Sequence, residues 1–103
     1  MYRGTTPSVV FNVNTSLDLR NITVLWVTLK NGATEITLGL DDVVISAGQR
    51  TITVNLTQEQ TLSFKGNNCE AQLRFTDKSG KAYASNIVPI EIKRILKEGV
   101  IGE

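Results

Sequence analysis

Ile22-Thr23-Val24-Leu25-Trp26-Val27-Thr28-Leu29 is the stretch on which the fold turns. It is rich in β-branched residues and apolar on both faces of a two-residue period, which is the composition of a central strand rather than a half-solvated one. Asn31-Gly32 follows at once. Both residues tolerate positive φ, as a type I′ turn requires, so the spacing predicts a hairpin into Glu35–Leu40, where Ile36, Leu38 and Leu40 share a face.

Outward from this hairpin the same period recurs. Upstream, Val9, Phe11 and Val13 alternate with Ser8, Val10 and Asn12 just after Pro7, predicting a first strand. Downstream, Asp41-Asp42 leads into Val43-Val44-Ile45, and Ala47-Gly48-Gln49 reads as a turn before a strand with Ile52, Val54 and Leu56 on one side. Thr57 and Gln60 have the spacing of a capping box, which predicts one short helical segment near residues 57–64. Ala71, Leu73 and Phe75 then alternate with polar residues, and Asp77-Lys78-Ser79-Gly80 is a hairpin loop. A last strand is predicted over roughly Asn86–Ile95, with Val88, Ile90 and Ile92 inward and Pro89 at an edge or bulge. About seven short strands separated by regular turn signals predict an all-β, immunoglobulin-like β-sandwich, with a small barrel as the alternative. Residues 1–103 read as a single domain with flexible arms at 1–6 and 96–103.

With 103 residues, 41% hydrophobic and 20% charged, the chain suffices for one core and not for two. Eleven Lys and Arg stand against ten Asp and Glu, so no strong field gathers a polyanion and no nucleic-acid partner is expected. Histidine is absent and Cys69 is the only cysteine, which excludes an internal disulfide, the common zinc sites and histidine-assisted nucleophiles within one chain. No apolar run approaches the ~20 residues of a membrane span, and Met1–Pro7 lacks the apolar core of a signal peptide. A chain folded in a cytoplasm, with no membrane partner, is expected.

The remaining chemistry-bearing residues have plain structural readings. Asp41-Asp42, with Glu35 or Asp18, could gather a calcium ion or an acid–base pair, but no calcium-loop spacing surrounds them and a solvated turn is expected. Lys93, Arg94 and Lys97 form a small basic cluster near the C-terminus, which Arg74, Lys78 and Lys81 could join across a hairpin; charged strand edges kept soluble are the expected reading, against a nucleic-acid patch. Cys69 reads as a small buried thiol. Trp26 is expected in the core, its functional alternative being an interface anchor or a sugar-stacking platform. Whichever face takes Trp26, the other carries Leu25, Val27 and Leu29. A two-layer sandwich would leave them partly wet, so they are predicted to pack on a partner chain, an arm or the tail.

Three segments carry a family likeness that spans the chain: Met1-Tyr2-Arg3-Gly4-Thr5-Thr6-Pro7, the middle Val54–Leu62, and the close Ala84-Ser85-Asn86-Ile87 through Arg94–Ile101. Together they resemble small proteins encoded in the tail regions of phages and prophages of Gram-positive bacteria. The layout is similar to the immunoglobulin-like N-terminal domains of phage baseplate proteins. The resemblance implies a structural or accessory tail or baseplate protein without enzymatic activity, with no catalytic, cofactor or metal residue. Its partners would be other tail or baseplate proteins or further copies of itself. It would be assembled in the host cytoplasm and carried in the virion. Leu96, Val100 and Ile101 would be the apolar anchors of a docking tail. The reading from a different class is a carbohydrate-binding module for the host surface, working through Trp26 or Tyr83.

Overall fold

The computed structural model describes residues 1–102, which form eight strands and one short helix. In chain order these are β1 Ser8–Asn12, β2 Ile22–Asn31, β3 Thr34–Leu38, β4 Val43–Ser46, β5 Thr51–Asn55, α1 Gln58–Leu62, β6 Asn68–Asp77, β7 Ala82–Ala84 and β8 Val88–Glu91. They build two antiparallel sheets. The smaller has the order β1-β5-β4; the larger runs β3-β2-β6, and β7 and β8 share the far edge of β6. The chain is an all-β sandwich.

The core lies between the sheets. Phe11, Ile52 and Val54 from the smaller sheet meet Leu25, Val27, Leu29, Ala71, Leu73 and Phe75 from the larger. Leu19, Leu56, Phe64 and Ile92 close the ends. Central placement of the predicted strand is correct, since β2 lies between β3 and β6.

The β2–β3 turn differs from expectation by one residue. Asn31 pairs with Thr34, so Gly32 and Ala33 are its central residues. Gly32 has φ 58 while Ala33 stays outside the left-handed region, the pattern of a type II′ turn rather than I′. Asn31 is thereby freed for another task, since its side chain is nearly buried and bonds the backbone ahead of β6. The capping box is present: Thr57 Oγ1 accepts from the Gln60 amide at 3.1 Å and Gln60 Oε1 accepts from the Thr57 amide at 2.8 Å.

Arg50 takes φ 57 in the β4–β5 turn, a conformation few side chains adopt. Its guanidinium donates to the carbonyls of Val13, Thr15 and Leu17, which holds the β1–β2 connection against that turn. Arg50 was not singled out in the sequence, where it is one arginine among many.

The N-terminal segment is not a loose arm. Tyr2 forms a parallel bridge with Lys93, the Lys93 amide donates to the Met1 carbonyl at 2.7 Å, and the Arg3 amide donates to the Lys93 carbonyl at 3.1 Å. Gly4 has φ 72, and a Cβ placed there would lie 3.1 Å from Leu62 Cδ2 and 3.2 Å from Ile95 Cδ1, so this close approach needs glycine. The predicted arm at 96–103 is tied through Glu98 to Arg3 and through Ile101 to Gln58; its final residue, Glu103, lies outside the described residues. The last strand is shorter than predicted, ending at Glu91, and Val88 points largely to solvent.

Candidate functional site: the outer face of the larger sheet

Successive side chains on a strand point to opposite faces, so β2 has to send one set outward. Ile22, Leu25, Val27, Leu29 and Asn31 are buried, whereas Val24, Trp26 and Lys30 are exposed and Thr28 partly so. A bulge between Ile22 and Val24 reconciles the two halves, letting Thr23 and Val24 both face out before the alternation resumes.

This reverses the sequence expectation for two groups. Leu25, Val27 and Leu29 are 1%, 0% and 0% exposed; they pack in this chain's own core and are not a partner surface. Trp26, expected inside, is 50% exposed. The physical reason is that a two-layer sandwich has one dry side per strand, and the slot opposite Phe11, Ile52 and Val54 is filled by the aliphatic set. A doubly apolar strand gives no period-two signal to choose between its faces.

Around Trp26 the pairing register builds a patch in rows across the sheet. Trp26 stands opposite Arg74, which stands opposite Ala84. The Arg74 guanidinium lies over the indole, 5.6 Å from its centroid. One row along, Val24 is opposite Thr76 and Thr76 opposite Ala82; a surface depression forms between these residues, floored by Phe75 and Tyr83. On the other side of the Trp26 row come Thr28 and Gln72, then Lys30 between Glu35 and Glu70, with Pro89 beyond Glu70. Ile87, 56% exposed, borders a further depression with Thr28, Lys30 and Gln72.

Tyr83, the other candidate sugar platform, has a structural task. Its ring stacks on Phe75 at 4.9 Å between centroids, and its hydroxyl donates to Asp77 Oδ2 at 3.3 Å. Asp77 Oδ1 also accepts from the Ser79 hydroxyl and amide and from the Lys81 amide. These bonds, the Ser79 hydroxyl first, hold its pKa below the ordinary carboxylate value.

The acids and bases named from the sequence are dispersed. Asp18 forms an ion pair with Arg20, whose guanidinium bonds pull its pKa down to about 2. Asp41 and Asp42 lie in a short 3-10 turn, where Asp42 Oδ2 accepts from the Gly39 amide at 3.0 Å. Among the described residues no three acidic or thiol side chains gather as metal ligands. Lys93 lies over the Tyr2 ring, beyond the β8 end of β6, while Arg74 pairs with β7 at its other end, so the basic set is not one patch. Cys69 is buried, and desolvation raises its thiol pKa. Leu96 and Ile101 are 94% and 81% exposed, with Val100 partly covered. No helix among the described residues is long and apolar enough to cross a membrane.

The fold and this face define a class: an all-β sandwich whose larger sheet presents a tryptophan and an arginine side by side to solvent. Comparison with protein-family models, with curated proteins and with solved structures finds no match to this chain.

Proposed function

We infer that this chain is a non-catalytic structural or accessory component of a phage or prophage tail or baseplate, assembled in the bacterial cytoplasm and working by protein–protein contact in the virion. The observation that carries the contact role is the half-exposed Trp26 beside Arg74 on an open sheet face. Tryptophan and arginine are the residue types most enriched at interface hot spots, and exposed Val24 and Ile87 extend the apolar area around them. What supports the tail assignment is the resemblance of the opening, middle and closing segments described above.

A carbohydrate-binding module is the second reading, because an exposed indole is what sugar stacking requires. Arg74 over that ring favours protein contact, since it already lies against the indole. The experiment is mass spectrometry of tail particles purified on density gradients from the cell that encodes the chain. The chain is expected at a fixed ratio to tail proteins. Expression without any association with particles or their assembly intermediates would overturn the assignment. Trp26 is the only tryptophan, so its fluorescence also tests the second reading. Saturable quenching by host cell-wall polysaccharide, lost in Trp26→Ala, would move the function to sugar binding.

A further inference from the structure

The outer face of the larger sheet has opposite character on the two sides of its Thr28–Gln72 row. Two residues along the strands in one direction stand Trp26 and Arg74; two residues along in the other stand Lys30 and Glu70. Among the described residues the ion pairs are Arg3–Glu98 and Arg20–Asp18, so Arg74, Lys30 and Glu70 each reach solvent without one. Resting on the reading that this face makes protein contacts, we propose that it docks on the same face of a second copy of this chain. The two-fold axis runs across the strands through the Thr28–Gln72 row.

That axis exchanges the ends of the sheet and keeps each strand over its own counterpart. Arg74 then lies over Glu70 of the second copy, Trp26 over its Lys30, and both contacts occur twice, as an isologous interface demands. The central row, Thr28 and Gln72, meets itself with uncharged polar side chains, that of Gln72 donating to the Ser85 carbonyl of its own chain. Ala84, in the Arg74 row, falls on Pro89, in the Glu70 row, placing apolar on apolar. The other face-to-face two-fold, parallel to the strands between β2 and β6, sets Lys30 against Glu70 and Trp26 against Arg74, leaving the guanidinium without a carboxylate and Glu35 against Pro89. Both axes pair opposite charges twice; the cross-strand axis is the one that gives the guanidinium the carboxylate it can bind with two parallel hydrogen bonds, where an ammonium is a point charge. The charge reversals below separate the two, since on the other axis Glu70→Arg would face Lys30 and exchanging Arg74 with Glu70 would restore nothing.

Four strands by seven residues make a face of about 19 by 23 Å. This is below the ~800 Å² per partner of a standard interface, so the pair is a weak, reversible dimer whose stability depends on concentration and salt.

Sedimentation equilibrium of the full chain over about two decades of concentration tests this, with circular dichroism confirming that each variant is folded. A monomer–dimer equilibrium weakened by salt is expected. Arg74→Glu and Glu70→Arg should each weaken it about 10-fold or more, and Trp26→Ala by a similar factor. The exchanged variant carrying both charge reversals restores the two pairs and should recover affinity to within about 3-fold of the parent. A monomer at every concentration, a dimer indifferent to these residues, or an exchanged variant no better than its single parents would each overturn the proposal. None of these results bears on association with tail particles, which is read separately.

Discussion

Asn31 and Lys65 exchange two hydrogen bonds: the Asn31 side-chain nitrogen donates to the Lys65 carbonyl at 2.6 Å, and the Lys65 amide donates to Asn31 Oδ1 at 2.7 Å. The same nitrogen donates to the Asn68 carbonyl at 2.7 Å. One nearly buried amide thus ties the end of β2 to the connection between α1 and β6. Asn31→Ala would leave an amide and two carbonyls short of partners, which costs about 1–3 kcal/mol. Urea unfolding should show a lower midpoint at unchanged slope. Asn31→Asp keeps an acceptor and loses the donor, so it should be destabilised as well; a wild-type midpoint in either variant would contradict the pairing.

The two faces of β2 give the sharpest contrast in mutational cost. Leu25→Ala or Leu29→Ala removes a fully buried side chain and should cost about 2–5 kcal/mol. Trp26→Ala removes a larger residue, yet half of it already lies in water, and its cation–π contact with Arg74 is worth about 0.5–1 kcal/mol at an exposed site. Thermal unfolding followed by circular dichroism should therefore place Trp26→Ala close to the parent. A loss equal to that of Leu25→Ala would mean that Trp26 serves the core.

Much of this fold is written in local pattern. Alternation marked β1, β3, β5 and β6, and the Thr57–Gln60 box located α1, because these signals lie within a few residues of one another; the three-residue β7, Ala82–Ala84, is too short to carry such a signal and was not predicted. What the pattern does not carry is a choice between equivalent faces. Leu25 and Trp26 are both apolar, and the selection is made by Phe11, Ile52 and Val54, which arrive from the other sheet. The same holds for Asn31, whose partners lie more than thirty residues away, and for Arg50, whose carbonyl partners belong to the loop after β1. Trp26 was named as a candidate anchor, but the patch it joins with Arg74 depends on the β2–β6 register, which alternation alone leaves open.

Asp77 predicts a specific acid limb. Its folded-state pKa is depressed, so its contribution is complete above the ordinary carboxylate value of 3.8 and is lost as pH falls through the lower folded value. Asn in its place keeps an acceptor for the Ser79 and Lys81 amides but carries no charge. The stability difference between wild type and Asp77→Asn should be largest above about pH 5 and shrink as the pH falls toward 2. Urea midpoints across that range measure it. A difference that is constant with pH would show that the carboxylate charge is not what the turn recognises. Asp18, whose pKa falls to about 2 beside Arg20, should lose its exposed ion pair in the same window.

Arg3 decides whether the two terminal segments hold the fold or merely lie on it. Its side chain is only 15% exposed; Nε donates to the Phe64 carbonyl at 2.6 Å and Nη2 to the Leu62 carbonyl at 2.7 Å, satisfying oxygens at the end of α1 and just beyond it. The third partner, Glu98, is 60% exposed, and an ion pair so open to solvent is worth under about 1 kcal/mol. The Gln58–Ile101 bonds are exposed too. Arg3→Ala should then cost about 1–3 kcal/mol, because two carbonyls lose a charged donor. Ending the chain at Ile95 should cost less, since it removes Glu98 and Ile101 and leaves both carbonyl bonds in place. Arg3→Lys should fall between, one ammonium being unable to reproduce the planar fork. If the truncation proved as damaging as Arg3→Ala, the tail would be a structural strap. If it proved as mild as Glu98→Gln, Leu96 and Ile101 would be surplus to the stability of the sandwich, and their exposure would have to be explained by contacts outside this chain.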